Sequence, residues 1–174
     1  MRKSLALAAA AVVVSSTALA APFGEPKDVA YAAQLWKVLE NTGLVGANAI
    51  QSHAYTGAHP HGAVLTTAEA RIRVGSDAGT AIVKNNYGGD GVSTEAVSNN
   101  PGKYLAAVTV MFKRPGYDAD NQDWFWVKYL PDGSLDKNPK GMQLAGQIAK
   151  GNTKGGCIAC HSAAPGGDML FTRN

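Results

Sequence analysis

The sequence has 174 residues, 45% hydrophobic and 17% charged, with 16 lysines and arginines against 13 aspartates and glutamates. That length suits one domain with a core of its own, and the lack of any basic block argues against nucleic acid as a partner. With only two cysteines the chain is no disulfide-dense scaffold.

The opening segment, MRKSLALAAAAVVVSSTALA, has a basic start at Arg2 and Lys3, an apolar run from Leu5 to Val14 and small residues at Ala18-Leu19-Ala20. This is the pattern of a secretory signal over residues 1–20, too short and alanine-rich for a membrane anchor. Residues 21–174 are therefore expected as a single exported domain, periplasmic in location. Without Arg2 and Lys3, 14 basic side chains face 13 acidic ones, close to neutrality. No later stretch is apolar enough to span a bilayer. In an oxidising compartment a spare cysteine pair can close into a disulfide.

Asp28 is placed to cap a helix over VAYAAQLWKVLENTG, where Val29, Ala32, Ala33, Trp36 and Leu39 recur at helical spacing and Gly43 ends it. The passage GANAIQSHAYTGAHPHG reads as loop. Thr66 and Glu69 form a T-x-x-E capping box, predicting a short second helix that ends near Gly75. The texture then changes. Thr80 to Lys84, Leu105 to Phe112 and Trp124 to Tyr129 are β-branched and aromatic runs of strand length, separated by glycine, asparagine and proline clusters. In the last run Phe125, Val127 and Tyr129 alternate with Trp124, Trp126 and Lys128. KRPGYDADNQD reads as a long antiparallel connection and Pro131 to Gly133 as a turn. A weak helical segment is expected over Met142 to Lys150. The fold class is α+β, a mostly antiparallel sheet with packed helices.

The strongest motif is CIACH, Cys157 to His161. In C-x-x-C-H, two sulfurs are spaced to form thioethers with the two vinyl groups of a haem, and the adjacent histidine becomes the proximal iron ligand. A zinc site would want a second pair of ligands, and no other cysteine exists to supply it. A thioredoxin-like motif belongs near the start of a βαβ unit. One covalent haem c, held by Cys157 and Cys160 with His161 on the iron, is the expected cofactor. Met169 follows His161 too closely to reach the opposite face of the iron. A four-helix cytochrome would need long amphipathic helices where this chain has three strands.

GTAIVKNN at Gly79 to Asn86, VTVMFKRPGYDADNQDWFWVKY at Val108 to Tyr129, and CIACH followed by DMLFTR together resemble the cytochrome P-460 and cytochrome c′-beta family. The resemblance covers most of residues 21–174. It implies a homodimer, a largely antiparallel sheet and a C-terminal haem whose iron has one protein ligand. Members bind or transform small nitrogen species, hydroxylamine in one branch and nitric oxide in the other. The resemblance also implies that Lys84 bonds covalently to the macrocycle; the plain alternative is a solvent-facing strand lysine. It places a carboxylate on the strand ahead of the long loop in hydroxylamine-oxidising members, whereas LAAVTVMF is without one, predicting an apolar distal wall around Val108, Thr109 and Val110. The resemblance also places AHPHG, Ala58 to Gly62, at the wall of the distal pocket. There His61 either faces the iron, as sixth ligand or hydrogen-bond donor, or is a loop histidine on backbone carbonyls, as His59 is expected to be. His53 has no special context, and Trp124 and Trp126 read as core or dimer-contact aromatics.

The expected function is that of a mono-haem c-type cytochrome binding or converting nitric oxide or a related nitrogen species at a distal site. Hydroxylamine oxidation by a lysine-linked haem, and plain electron transfer to a redox partner protein with His61 closing the sixth position, are the alternatives.

Overall fold

Period-2 alternation dominates residues 64–129, and it produces strands that run antiparallel to their sequence neighbours. The computed structural model describes residues 23–152 and 154–171; the expected signal at residues 1–20 lies outside the described residues. Six strands form one antiparallel sheet in simple sequence order: β1 Tyr55–Thr56, β2 Val64–Val74, β3 Asp77–Tyr87, β4 Leu105–Lys113, β5 Trp124–Tyr129 and β6 Ala145–Gly146. The helices are α1 Pro26–Asn41, α2 Thr94–Asn99, α3 Pro101–Tyr104 and α4 Cys157–His161. The expected α+β class holds.

Several of the sequence-based assignments are corrected, among them the loop that contains the short strand β1. Residues 66–75 are not a helix: they belong to β2, which pairs with β3 from Val64↔Tyr87 to Val74↔Asp77. Alanine, glutamate and arginine favour helix locally, but Ala68, Ala70, Ile72 and Val74 alternate with Glu69, Arg71 and Arg73, and burial of that apolar row decides. Gly75, at φ +59°, opens the two-residue turn between the strands. Residues 142–150 are likewise not helical; they contribute the short edge strand β6. In α1, Glu25 is the N-cap and Pro26 the first residue, so Asp28 lies inside the first turn and is buried. Ala33, expected on the apolar stripe, is exposed, while Tyr31 and Leu35 are buried in its place.

The sheet has two buried faces. Ala81, Val83, Val108, Val110, Phe112, Phe125, Val127 and Tyr129 pack with Tyr31, Leu35, Trp36 and Leu39 of α1 in the main core. The Tyr129 hydroxyl donates to the Ala32 carbonyl at 2.7 Å, tying β5 to α1. On the opposite face, Ile82, Met111, Trp124 and Trp126 pack against Ile148, Ile158, Met169 and Leu170. That second layer is the C-terminal segment carrying CIACH. Gly79 permits the approach of β4 to β3, since a Cβ there would overlap the Lys113 carbonyl oxygen.

Candidate functional site

α4 starts after Gly156, which sits at φ +109° where a Cβ would run into that of Ala149. In this single helical turn Cys157, Cys160 and His161 fall at i, i+3 and i+4, which puts both sulfurs and the imidazole on one side. Both thiols are free, Cys157 half-buried and Cys160 exposed. Burial pushes the Cys157 thiol up to about 11.

His161 is buried at 8% exposure. Its Nδ1 lies 2.7 Å from the Met169 carbonyl oxygen, so the ring proton sits on Nδ1 and the Nε2 lone pair is left bare. Met169 holds φ +63°, an uncommon conformation for a non-glycine residue, and thereby turns its carbonyl toward His161. The tail is pinned by Trp124, whose Nε1 donates to the Asp168 carbonyl at 3.2 Å, and by Leu170 N, which donates to the Asp168 carboxylate at 3.0 Å. Three rings surround the imidazole: Trp126 at 4.9 Å, Phe171 at 5.4 Å and His61 at 6.0 Å between centroids.

His61 stands on a tight turn in which its N–H donates to the Ala58 carbonyl at 3.0 Å. Ala63 N–H donates to the Tyr87 carbonyl at 3.1 Å, anchoring the turn to the end of β3. The His61 ring points inward, with Nδ1 3.4 Å from Thr109 Oγ1. Thr109 Oγ1 also lies 3.4 Å from the Lys84 carbonyl and accepts from Asn86 Nδ2 at 3.4 Å. Its contact with His61 engages the Nδ1 of that ring and leaves Nε2 outside it. Burial first, then the charges of Lys84, His161 and Lys128, lower the His61 pKa to about 4. Burial and Lys84 lower that of His161 too. Both imidazoles are neutral near pH 7.

Strand register sets the rest of this face. Lys84 pairs with Thr109, and Thr109 with Lys128, so the three side chains lie abreast on β3, β4 and β5. Lys128 is neutralised by Asp136 at 2.8 Å. Among the described residues no carboxylate pairs with Lys84, and burial lowers its pKa. It is half-buried, and its charge reaches both imidazoles, so it is not the solvent-facing strand lysine of the plain alternative. The wall expected to be apolar is in fact polar: alternation turns Val108 and Val110 into the main core and presents Thr109 to the site. His53 and His59 are exposed and apart from it. Asn86 and Trp126 are the site residues that sequence reasoning missed. The signal for Asn86 was available, since it lies two positions along its strand from Lys84; Trp126 had none, because no candidate site residue shared its strand.

A family model described as Cytochrome P460 matches residues 40–172. No curated protein and no solved structure matches the chain. The family implies a haem cofactor, and the site can be tested for it. Among the described residues no group of three or more His, Cys, Asp or Glu is gathered that could hold a metal ion. Trp126 Nε1 and Asn86 Oδ1 are buried polar atoms with no hydrogen-bond partner, and both lie on this face of the sheet. Each such orphan costs about 1–3 kcal/mol, which a bound group with a polar rim offsets. With two free thiols and an imidazole on one side of α4, the residues fit a haem.

Proposed function

The chain belongs to the cytochrome P460 family, and on that premise we propose that it is an exported mono-haem c-type cytochrome that takes nitric oxide, or a closely related nitrogen species, at its haem. Cys157 and Cys160 would hold the porphyrin through thioethers, and His161 would hold the iron through Nε2. When bound, the haem supplies an iron centre that binds small nitrogen ligands and exchanges electrons with them.

The single observation that carries this reading is the pairing of His161 Nδ1 with the Met169 carbonyl. A carbonyl partner fixes the tautomer and the ring direction without adding a negative charge behind the imidazole. Met169, Trp124 and Asp168 keep that carbonyl in place. On the facing side, His61, Thr109 and Asn86 offer a neutral hydrogen-bonding wall, with Lys84 beside it. β4 presents Thr109 where hydroxylamine-oxidising relatives are expected to carry a carboxylate, so ligand capture is favoured over proton-coupled oxidation of hydroxylamine. Lys84, shielded from water with its proton affinity lowered, is suited to the covalent link to the macrocycle that the family resemblance implies. No helix among the described residues is long and apolar enough to cross a membrane, which is compatible with a periplasmic protein; a homodimer is part of the same proposal.

The test is a titration of the reduced protein with nitric oxide. A shifted absorption spectrum with a one-to-one endpoint is the expected result; an unchanged spectrum overturns the reading.

A further inference from the structure

The distance between two imidazoles carries more than ligand capture. Two histidines bound to one metal through Nε2 have nitrogen–metal bonds of about 2.0–2.1 Å and ring centres about 1.1 Å beyond each nitrogen, so their centres stand about 6.3 Å apart. A histidine that only donates a hydrogen bond to an iron-bound atom sits farther back by roughly 2 Å. The His61 and His161 centroids are 6.0 Å apart, with ring planes at 89°, an angle that a common metal axis permits. The spacing matches direct ligation and is too short for the hydrogen-bonding role.

The ring nitrogens agree with this. Each ring has its Nδ1 in a hydrogen bond, His161 to the Met169 carbonyl and His61 to Thr109 Oγ1, so Nε2 is the nitrogen that each leaves for a metal. The two residues are 100 positions apart and arrive from different elements, so their opposition is a product of the tertiary fold.

We propose that His61 is the sixth iron ligand of the resting protein and a displaceable one, so that an incoming nitrogen ligand must take its place. This rests on the reading that His161 holds a haem. The turn of residues 58–62 suits the exchange. His59 and Pro60 are exposed, and the turn is tied to β3 by the hydrogen bond between Ala63 and Tyr87 and to itself by Gly57 N–H on the Ala63 carbonyl at 2.8 Å. Among the described residues, the hydrogen bond that holds the His61 ring is the long 3.4 Å contact to Thr109. His161, by contrast, has the short bond to a pinned tail.

The experiment uses the purified holoprotein. Electron paramagnetic resonance of the ferric wild type is expected to show a low-spin, six-coordinate centre; a high-spin, five-coordinate signal overturns the proposal without any variant. His61→Ala is expected to convert the signal to high-spin, and His61→Met to keep it low-spin with the absorption band of an iron–sulfur bond, which a merely structural effect of the substitution would not give. A low-spin signal that survives His61→Ala but is lost in Lys84→Met assigns the sixth position to the lysine and overturns it. In stopped flow, nitric oxide should bind the wild type at a rate that levels off with concentration, limited by departure of His61, and bind His61→Ala at least tenfold faster without levelling. If neither protein binds nitric oxide, the functional reading and the exchange fail together, while a low-spin signal abolished by His61→Ala still upholds the ligation.

Discussion

The Nδ1 of His161 rests 2.7 Å from the main-chain oxygen of Met169, eight residues further along the chain. The methionine side chain is buried in the layer beneath the sheet and takes no part in that bond. Met169 thus supports the site by its backbone. Met169→Leu, a swap of similar volume, should leave the spin state and reduction behaviour unchanged at a stability cost below about 1.5 kcal/mol. A changed coordination state, seen in the absorption spectrum, would show that the sulfur reaches the iron.

Lys84 makes a covalent prediction. Proteolysis of the mature protein should release one coloured product joining the Lys84 peptide to the Cys157–Cys160 peptide, and the reduced protein should show a strongly red-shifted Soret band. Lys84→Arg keeps the charge but not the primary amine, so it should give an ordinary c-type spectrum and separate peptides. Identical spectra for the two proteins would place Lys84 outside any bond to the macrocycle.

The strands and the cofactor motif were legible for a simple physical reason: they are local. Trp124 to Tyr129 alternates without a break, and its two rows face two different buried layers. β2 was misread because helix propensity and the T-x-x-E pattern act over a few residues, whereas the pairing that overrode them joins Thr66 to Asn85 and Arg71 to Thr80. Cys157, Cys160 and His161 could be named from spacing alone. His61 could be singled out as a candidate but not resolved, because its role depends on Thr109, 48 positions away. The polar distal wall was hidden by the same gap: a run such as LAAVTVMF does not say which of its rows faces the site until the register to β3 is fixed.

Two neighbouring glycines ahead of α4 should behave differently. Gly156 has φ +109°, and a Cβ there would overlap that of Ala149; Gly155 has open space around it. Gly156→Ala should therefore lower stability by at least about 1–3 kcal/mol from backbone strain alone, and Gly155→Ala should stay within about 0.5 kcal/mol of wild type. Thermal unfolding of both variants checks this. Equal effects would contradict the description of the turn that aims α4.

Asp28 carries a pH dependence. Its carboxyl is buried with Oδ1 unpartnered, and burial raises its pKa despite a hydrogen bond from Tyr117. A carboxyl whose folded pKa lies above its unfolded value contributes stability at low pH that is lost as pH rises through the folded value. Asp28→Asn does not ionise, so its stability relative to wild type should improve on going from about pH 4 to pH 7. Denaturant unfolding across that range measures it, and a relative loss toward neutral pH would contradict the sign.

The attachment of a haem through Cys157 and Cys160 underlies every other statement about function. The most direct test is the intact mass of the denatured protein, expressed in cells competent to mature c-type cytochromes. The account predicts a mass heavier than the polypeptide by one haem, with the increment lost in the Cys157→Ala, Cys160→Ala double variant. A colourless product at the mass of the bare polypeptide, or of a polypeptide with those two sulfurs joined, would contradict it.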